Sequence, residues 1–428
     1  MPEPSPTNPH HPQGQLAGLR RSPSTRLAPE FLAVFGSAAP ENVPALAEAL
    51  GAPVATVPPS RDGCQMLRVG EGVQSLVRLF PRLGIAALDL DPAARDRVER
   101  IAGVRVVANE VRRLPPYLVA AASESSVAGH QVVGVRRRAV HGGRGHCFAP
   151  ENWCLTMLGI DPCRRDLTGR GIRVAVLDTG IAMQDGQMPK VVAAASFVAG
   201  QDVLDRNGHG THCAGIVGGP RGRAGRMPYG VAPDCEILVG KVLDHHGVGT
   251  DDAILEGISW AVEHGAVVVS LSVSSMREPG GVYPHSYEAA ARSLLDCGTL
   301  LLAAAGNDSA APRWLSPVGN PAACPSILAV SACDRGRLAA PFSNRELDSV
   351  GRLALAAPGV DVYSAWLEGG YRLLSGTSMA TPHVAGVAAL HAERGGARLR
   401  GRLLRDSLLA AAVPVGPRQE FGHGLAHL

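Results

Sequence analysis

Apolar residues along the chain follow two rhythms, and the rhythm changes between its two halves. Phe31-Leu32-Ala33-Val34-Phe35 is a short unbroken apolar run, which predicts a strand. Val43, Leu46, Ala47 and Leu50 then recur at helical spacing within 40–50. Residues 73–80 and 84–90 predict two further strands around Pro81-Arg82-Leu83. Asp91 reads as the cap of a helix running to residue 101, with Pro92 in the first turn, where a missing N–H has no partner to lose. Residues 103–108 close as another strand. The order β-α-β-β-α-β predicts a small split-βαβ, ferredoxin-like α+β unit.

From residue 151 unbroken apolar runs alternate with helical stretches. Strands are predicted at 174–177, 236–239, 266–269, 299–304, 327–331 and 360–364, and helices at 250–264 and 286–296. Runs apolar on both faces and separated by helices imply an α/β unit, a doubly wound, mostly parallel sheet covered on both sides. Helical spacing resumes at Val384, Val387, Ala388 and Leu390, directly after Gly376-Thr377-Ser378-Met379-Ala380-Thr381-Pro382. Gly376 is expected to let the backbone turn tightly, and Pro382 to hold the helix start near Ser378. Ser378 then sits exposed at the positive end of a helix, beside N–H groups able to bind an oxyanion.

Residues 114–150 lack either rhythm. They carry Pro115-Pro116, a small-residue stretch and Arg136-Arg137-Arg138, the composition of an exposed linker. Residues 1–29 are polar and Pro-rich, as in a disordered tail. The expected divisions are therefore 1–29, 30–113, 114–150 and 151–428.

Composition narrows the picture. A 46% share of hydrophobic residues permits a large core, but with only 4% aromatics it must be built from Ala, Val, Leu and Gly. A net charge of +3 implies no nucleic-acid partner and no acidic membrane surface. No apolar run is long enough to span a bilayer. The N-terminal 26 residues lack the apolar segment of a secretory signal, so a cytoplasmic location is expected, or secretion if the start codon is misassigned. Nine cysteines include no repeated Cys-x-x-Cys; Cys154 with Cys163, or Cys324 with Cys333, remain open as pairs in an oxidising compartment.

Four residues at predicted strand ends or helix starts carry the chemistry. Asp178 follows the strand at 174–177, His209 lies in Asp205-Arg206-Asn207-Gly208-His209-Gly210-Thr211-His212, Asn307 ends Ala305-Gly306-Asn307, and Ser378 opens its helix. Sites assemble at the carboxyl edge of open α/β sheets, so all four are expected to converge there. Serine needs an imidazole to take its proton, and a carboxylate fixes the imidazole tautomer. A neutral amide such as Asn307 suits the negative oxygen of a tetrahedral intermediate.

Val174-Ala175-Val176-Leu177-Asp178-Thr179-Gly180, Gly208-His209-Gly210-Thr211-His212-Cys213-Ala214-Gly215, Ala304-Ala305-Gly306-Asn307 and Gly376-Thr377-Ser378-Met379-Ala380-Thr381-Pro382 resemble the subtilisin family of serine proteases, including its Asp-His-Ser chain order. Phe342-Ser343-Asn344, Ala357-Pro358-Gly359-Val360 and Phe421-Gly422-His423-Gly424-Leu425 are weaker matches, and Cys213 resembles the proteinase K branch. The resemblance covers about 151–428. It implies a serine endopeptidase acting on peptides or proteins, with Asp178, His209 and Ser378 as triad and Asn307 as oxyanion donor. It further implies that Ser272, Val273 and Ser274 and, opposite them, Ala304, Ala305 and Gly306 bind substrate. Residues 31–108 resemble, more weakly, the family's propeptide, so the N-terminal unit is expected to be a partner of the catalytic unit in a self-processing zymogen, cut between about 109 and 152. Other readings are a maturation protease with one peptide substrate and a non-catalytic binding module.

No cofactor and no metal site is expected. Calcium is possible by resemblance, but Gly219-Pro220-Arg221-Gly222-Arg223-Ala224-Gly225-Arg226 offers three arginines and no carboxylate for it. His212 reads as a packing or surface residue, Cys213 as a small buried one, and Asp251-Asp252 as a charge pair at a helix N-terminus.

Overall fold

The computed structural model describes residues 29, 31–35, 43–50, 54–56, 65–69, 76–80, 82–114, 118–119, 152–161, 166–182, 189–221 and 227–428. Nearly all of the 1–29 tail, the 120–150 linker and Cys163 lie outside these.

The first half forms a six-stranded antiparallel sheet: β1 (Phe31–Phe35), β2 (Val54–Thr56), β3 (Gln65–Val69), β4 (Leu76–Phe80), β5 (Ile85–Leu88) and β6 (Val104–Ala108), in the order β2-β3-β4-β5-β1-β6. The strands β4-β5-β1-β6 have the split-βαβ arrangement read from the sequence; β2 and β3 are additions, strands of 3 and 5 residues too short to show a period. Helices α1 (Val43–Ala49) and α2 (Pro92–Glu99) cover one face. Asp91 caps α2, its side chain accepting from Ala94 N–H at 2.7 Å.

The second half is built on seven parallel strands: β9 (Arg173–Asp178), β10 (Lys190–Ser196), β11 (Glu236–Lys241), β13 (Val268–Leu271), β14 (Leu300–Ala304), β15 (Leu328–Cys333) and β16 (Leu353–Pro358). Their order is β10-β11-β9-β13-β14-β15-β16. The period of two in β9 feeds two cores. Val174 and Val176 pack on one side of the sheet, Ala175 and Leu177 on the other. Two small sheets edge this unit: β7 (Val111–Arg113) pairs with β12 (Val248–Thr250), while β8 (Leu118–Val119) pairs with β18 (Tyr371–Ser375), itself paired to β17 (Val362–Ala365).

After α3 (Trp153–Met157), helices α4 (His209–Gly218), α7 (Thr377–Gly395) and α8 (Gly401–Ala411) supply the first core, and α5 (Asp251–Glu263) and α6 (His285–Asp296) the second; α9 (Arg418–Phe421) closes the chain. Leu32, Phe80, Leu83, Ile85 and Ala87 of the N-terminal sheet join the second core. Each large side chain so buried contributes about 1.5–3 kcal/mol, so apolar packing holds the N-terminal unit against α5 and α6.

The turn at Gly376 and the place of Pro382 are corrected, while the helix start expected near Ser378 holds to within a residue. Gly376 has φ 166°, an extended value open to any residue, so no tight turn explains it. The helix begins at Thr377, and Pro382 lies inside it. Cys324 and Cys333 are both buried and unpaired; Cys324 donates to Pro284 O and Cys333 sits beside Met157.

Candidate active site

The sheet order turns back on itself at β9. From there the chain goes out to the edge strand β10, comes back inward through β11, and crosses to β13 on the other side of β9. A crevice opens at the carboxyl ends of strands where such a reversal occurs. Asp178 ends β9, Ser272-Val273-Ser274 continue from β13, and Asn307 follows β14. The strand predicted at 266–269 spans Val268–Leu271.

His209 is the first residue of α4. Its Nδ1 lies 2.8 Å from Asp178 Oδ1 and 3.0 Å from Oδ2. A carboxylate only accepts, so Nδ1 carries the proton in this pair. The approach depends on Gly210: a Cβ there would meet Gly180 O at 2.4 Å, so a side chain would push α4 away from the turn after Asp178. Burial disfavours a charge on the His209 imidazole, but the Asp178 carboxylate and the Cys213 sulfur outweigh it and hold the pKa well above 6.5.

Sequence reasoning missed what fixes this helix start. Asp205, 5% exposed, accepts from Thr179 Oγ1, Asn207 N–H and Gly208 N–H through Oδ1, and from Thr211 N–H and Oγ1 through Oδ2, at 2.6–2.9 Å. Burial raises its pKa, but these hydrogen bonds prevail and lower it below the usual carboxylate value. The signal available was an Asp placed two and three residues before Asn207-Gly208 at a helix start. Buried Lys241 donates to Thr179 O from below the same turn.

His212 ties α4 to the strands that lead to Ser378. Its Nε2 lies 3.1 Å from Val362 O and 3.0 Å from Arg372 O. Burial drives its pKa down to about 3, so the ring is neutral and Nε2–H donates to these carbonyls. It is the packing residue the sequence suggests.

Ser378, expected at an exposed helix start, is fully buried, packed beneath α4 and the 272–275 segment. Its Oγ lies 3.5 Å from Ser272 O. Pro382 has no N–H for the Ser378 carbonyl four residues earlier. That carbonyl accepts instead from Ser272 Oγ at 3.1 Å and from the Cys213 thiol at 3.5 Å. Cys213 Sγ is also 3.8 Å from His209 Nδ1, so one buried side chain touches both the imidazole and the Ser378 backbone. Asn307 Oδ1 accepts from Thr377 N–H at 2.9 Å and Thr377 Oγ1 at 2.7 Å. Both fix the amide so that its N–H₂ faces away from Thr377. Asn344 supports the turn ahead of it, its N–H donating to Gly306 O at 3.0 Å.

Of the residues expected to bind substrate, Ala304, Ala305 and Gly306 are buried opposite the 272–274 segment. Ser274 Oγ occupies the space between Gly306 and Gly319, where added Cβ atoms would meet it at 2.9 and 2.3 Å. Asp178, His209 and Cys213 place ligand atoms within 4.8 Å of one another. The carboxylate already accepts from His209 and from Thr179 N–H, and burial raises the thiol pKa, so the trio reads as hydrogen-bonded neighbours and not as a metal-ligand set. Gly222 to Arg226, the loop considered for calcium, lie outside the described residues. Asp251 and Asp252 open α5, the helix-start pair read from the sequence, and both are buried. Among the described residues no helix is long and apolar enough to cross a membrane.

A family model described as the subtilase family matches residues 169–424. The chain is 38% identical over 262 residues to subtilisin DY of Bacillus licheniformis, covering 61% of this chain and 90% of that protein. It is 37% identical over 264 residues to subtilisin BL of Lederbergia lenta, covering 61% and 91%. M-protease of Shouchella clausii is also 37% identical over 264 residues, covering 61% and 64%.

Proposed function

Since the chain belongs to the subtilase family and is a serine endopeptidase, we propose that Ser378 is its nucleophile, His209 its general base, Asp178 the residue that orients His209, and Asn307 an oxyanion donor. Ser378 Oγ attacks the scissile carbonyl as the His209 imidazole takes its proton. Asp178 keeps the Nδ1–H tautomer and stabilises the imidazolium that forms. The oxygen turns negative in the tetrahedral intermediate and accepts from Asn307 N–H₂ and the Ser378 N–H. Collapse breaks the C–N bond, His209 returns the proton to the leaving amine, and water repeats the sequence on the acyl-enzyme.

The observation that carries this reading is the buried Asp178–His209 pair at 2.8 Å, joined to Ser378 by Cys213. Asn307→Ala tests one role directly. It is expected to lower kcat by roughly 10²–10³ while KM changes little, a magnitude that comes from subtilisin itself. Unchanged kcat removes Asn307 from the mechanism.

The substrates are peptides or proteins. Ser272, Val273 and Ser274 are proposed to form one wall of the site that holds them, and Ala304, Ala305 and Gly306 the other. The chain is further proposed to be a zymogen whose N-terminal unit, 30–113, inhibits the catalytic unit, 151–428, until self-cleavage in 114–150. Its apolar docking on α5 and α6 supports this. Intact-mass analysis should find wild-type protein shortened and Ser378→Ala at full length; identical processing of both rules out self-cleavage.

A further inference from the structure

Arg112 is 2% exposed, while Val111 beside it is 54% exposed. Arginine is rarely buried so deeply unless it is paired. Its Nε donates to Asp251 Oδ1 at 2.6 Å and its Nη2 to Asp251 Oδ2 at 3.0 Å, a two-pronged match of guanidinium to carboxylate. Nη1 donates to Ser275 Oγ at 2.7 Å. The guanidinium carbon stands 5.6 Å from the centre of the Tyr287 ring, and Tyr287 OH donates to Asp251 Oδ1 at 2.9 Å. Glu110, next to β7 and 60% exposed, adds an ion pair to Arg112 at 2.9 Å from the solvent side. Apart from Glu110, these partners all belong to the catalytic unit.

The segment that delivers this side chain is held by backbone pairing on both sides of residues 115–117. Val111, Arg112 and Arg113 pair antiparallel with Thr250, Gly249 and Val248. Leu114 N–H donates to Gly247 O at 2.9 Å. Leu118 and Val119 pair with Ser375 and Leu374 of β18, which ends three residues before Ser378. The chain therefore adds a strand to β12 ahead of residues 115–117 and to β18, whose end leads to Ser378, after them. A peptide lying across Ser378 and adding a strand to each edge takes the same course.

We propose that the recess lined by Asp251, Tyr287 and Ser275 is a substrate pocket selective for arginine, making the enzyme prefer polypeptides with arginine three to six residues ahead of the cleaved bond. The proposal rests on the serine-endopeptidase reading. Asp251 sets the preference. An arginine satisfies both carboxylate oxygens, whereas a lysine offers a point charge without the fork. An apolar occupant leaves a buried carboxylate unpaired, and a glutamate adds repulsion. Burial outweighs the pull of Arg112 and leaves the Asp251 carboxyl above the usual carboxylate value, so the recess holds its charge only beside a cation. The competing account is a docking contact that merely fastens the N-terminal unit.

The test uses the full chain, as it stands after any processing, with internally quenched peptides in which one position, three to six residues ahead of the cleaved bond, is arginine, lysine, norleucine or glutamate. At one position kcat/KM for arginine should exceed that for norleucine by roughly 30-fold or more, with lysine between them and glutamate lowest. In Asp251→Asn the arginine-to-norleucine ratio should fall to within a few-fold of unity. Equal rates for arginine and norleucine at every position, with peptides otherwise cleaved, overturn the pocket and leave a docking contact. No cleavage of any peptide together with no fluorophosphonate adduct on Ser378 overturns the endopeptidase reading, and the pocket with it. The wild-type ratio needs no variant, so the test stands even if Asp251→Asn folds poorly.

Discussion

Ser378→Ala is expected to fold and to lose about 10⁶ in kcat for peptide hydrolysis, the size of loss found on removing the nucleophile of subtilisin itself, a relative of this chain. Folding should survive because the links around Ser378 run through its backbone. Its carbonyl takes the Ser272 hydroxyl and the Cys213 thiol, and neither bond needs Oγ. The hydrogen bond that Oγ itself makes, to Ser272 O, is 3.5 Å long, at the outer limit of useful length. A steady-state assay with a thermal melt alongside separates the outcomes. Near-native kcat in a folded variant removes Ser378 from the chemistry. Lost activity with a lost melt is a folding effect and does not support the role.

Asp178→Asn is expected to lower kcat by about 10⁴ and to change the pH profile as well. His209 is held above 6.5 by the Asp178 charge, against the effect of burial. Only the neutral imidazole can take a proton from Ser378, so wild-type activity should rise with pH through a midpoint above 6.5. Removing the carboxylate charge lowers the His209 pKa, so the residual activity of Asp178→Asn should rise at lower pH than wild type. The stability term has the opposite dependence. A base whose folded pKa is raised stabilises the fold fully below its unfolded pKa, and that contribution fades as pH climbs through the folded value. The Asp178–His209 pair therefore stabilises most where the enzyme is least active. A kcat/KM profile measured from about pH 5 to 10 on both proteins checks this. An unchanged midpoint in the variant contradicts it.

What the sequence disclosed is what depends on neighbours in the chain. A strand of apolar residues ending in Asp178, a glycine-flanked His209 and a helix opening at Ser378 are each local patterns, and the parallel sheet follows from alternating runs. Asp91 as a helix cap was legible for the same reason. What stayed hidden depends on partners far along the chain. Asp205 gathers Thr179 with the start of α4, and Arg112 reaches Asp251 across 139 residues. Without those partners Asp251 reads only as a helix-start charge and Ser378 as exposed. β10 was missed because Lys190–Ser196 is rich in alanine, which carries little strand preference. Pro382 misled in an instructive way. It does not mark the helix boundary, but deprives the Ser378 carbonyl of its helical partner and so frees it for Ser272 and Cys213.

The central claim is that a buried Asp–His pair activates Ser378, and a fluorophosphonate probe tests it most directly. Folded protein should take up one probe per chain, peptide mapping should place it on Ser378, and labelling should quicken as pH rises through the His209 midpoint. Labelling that goes to another residue, or persists at the wild-type rate in His209→Ala, contradicts the account.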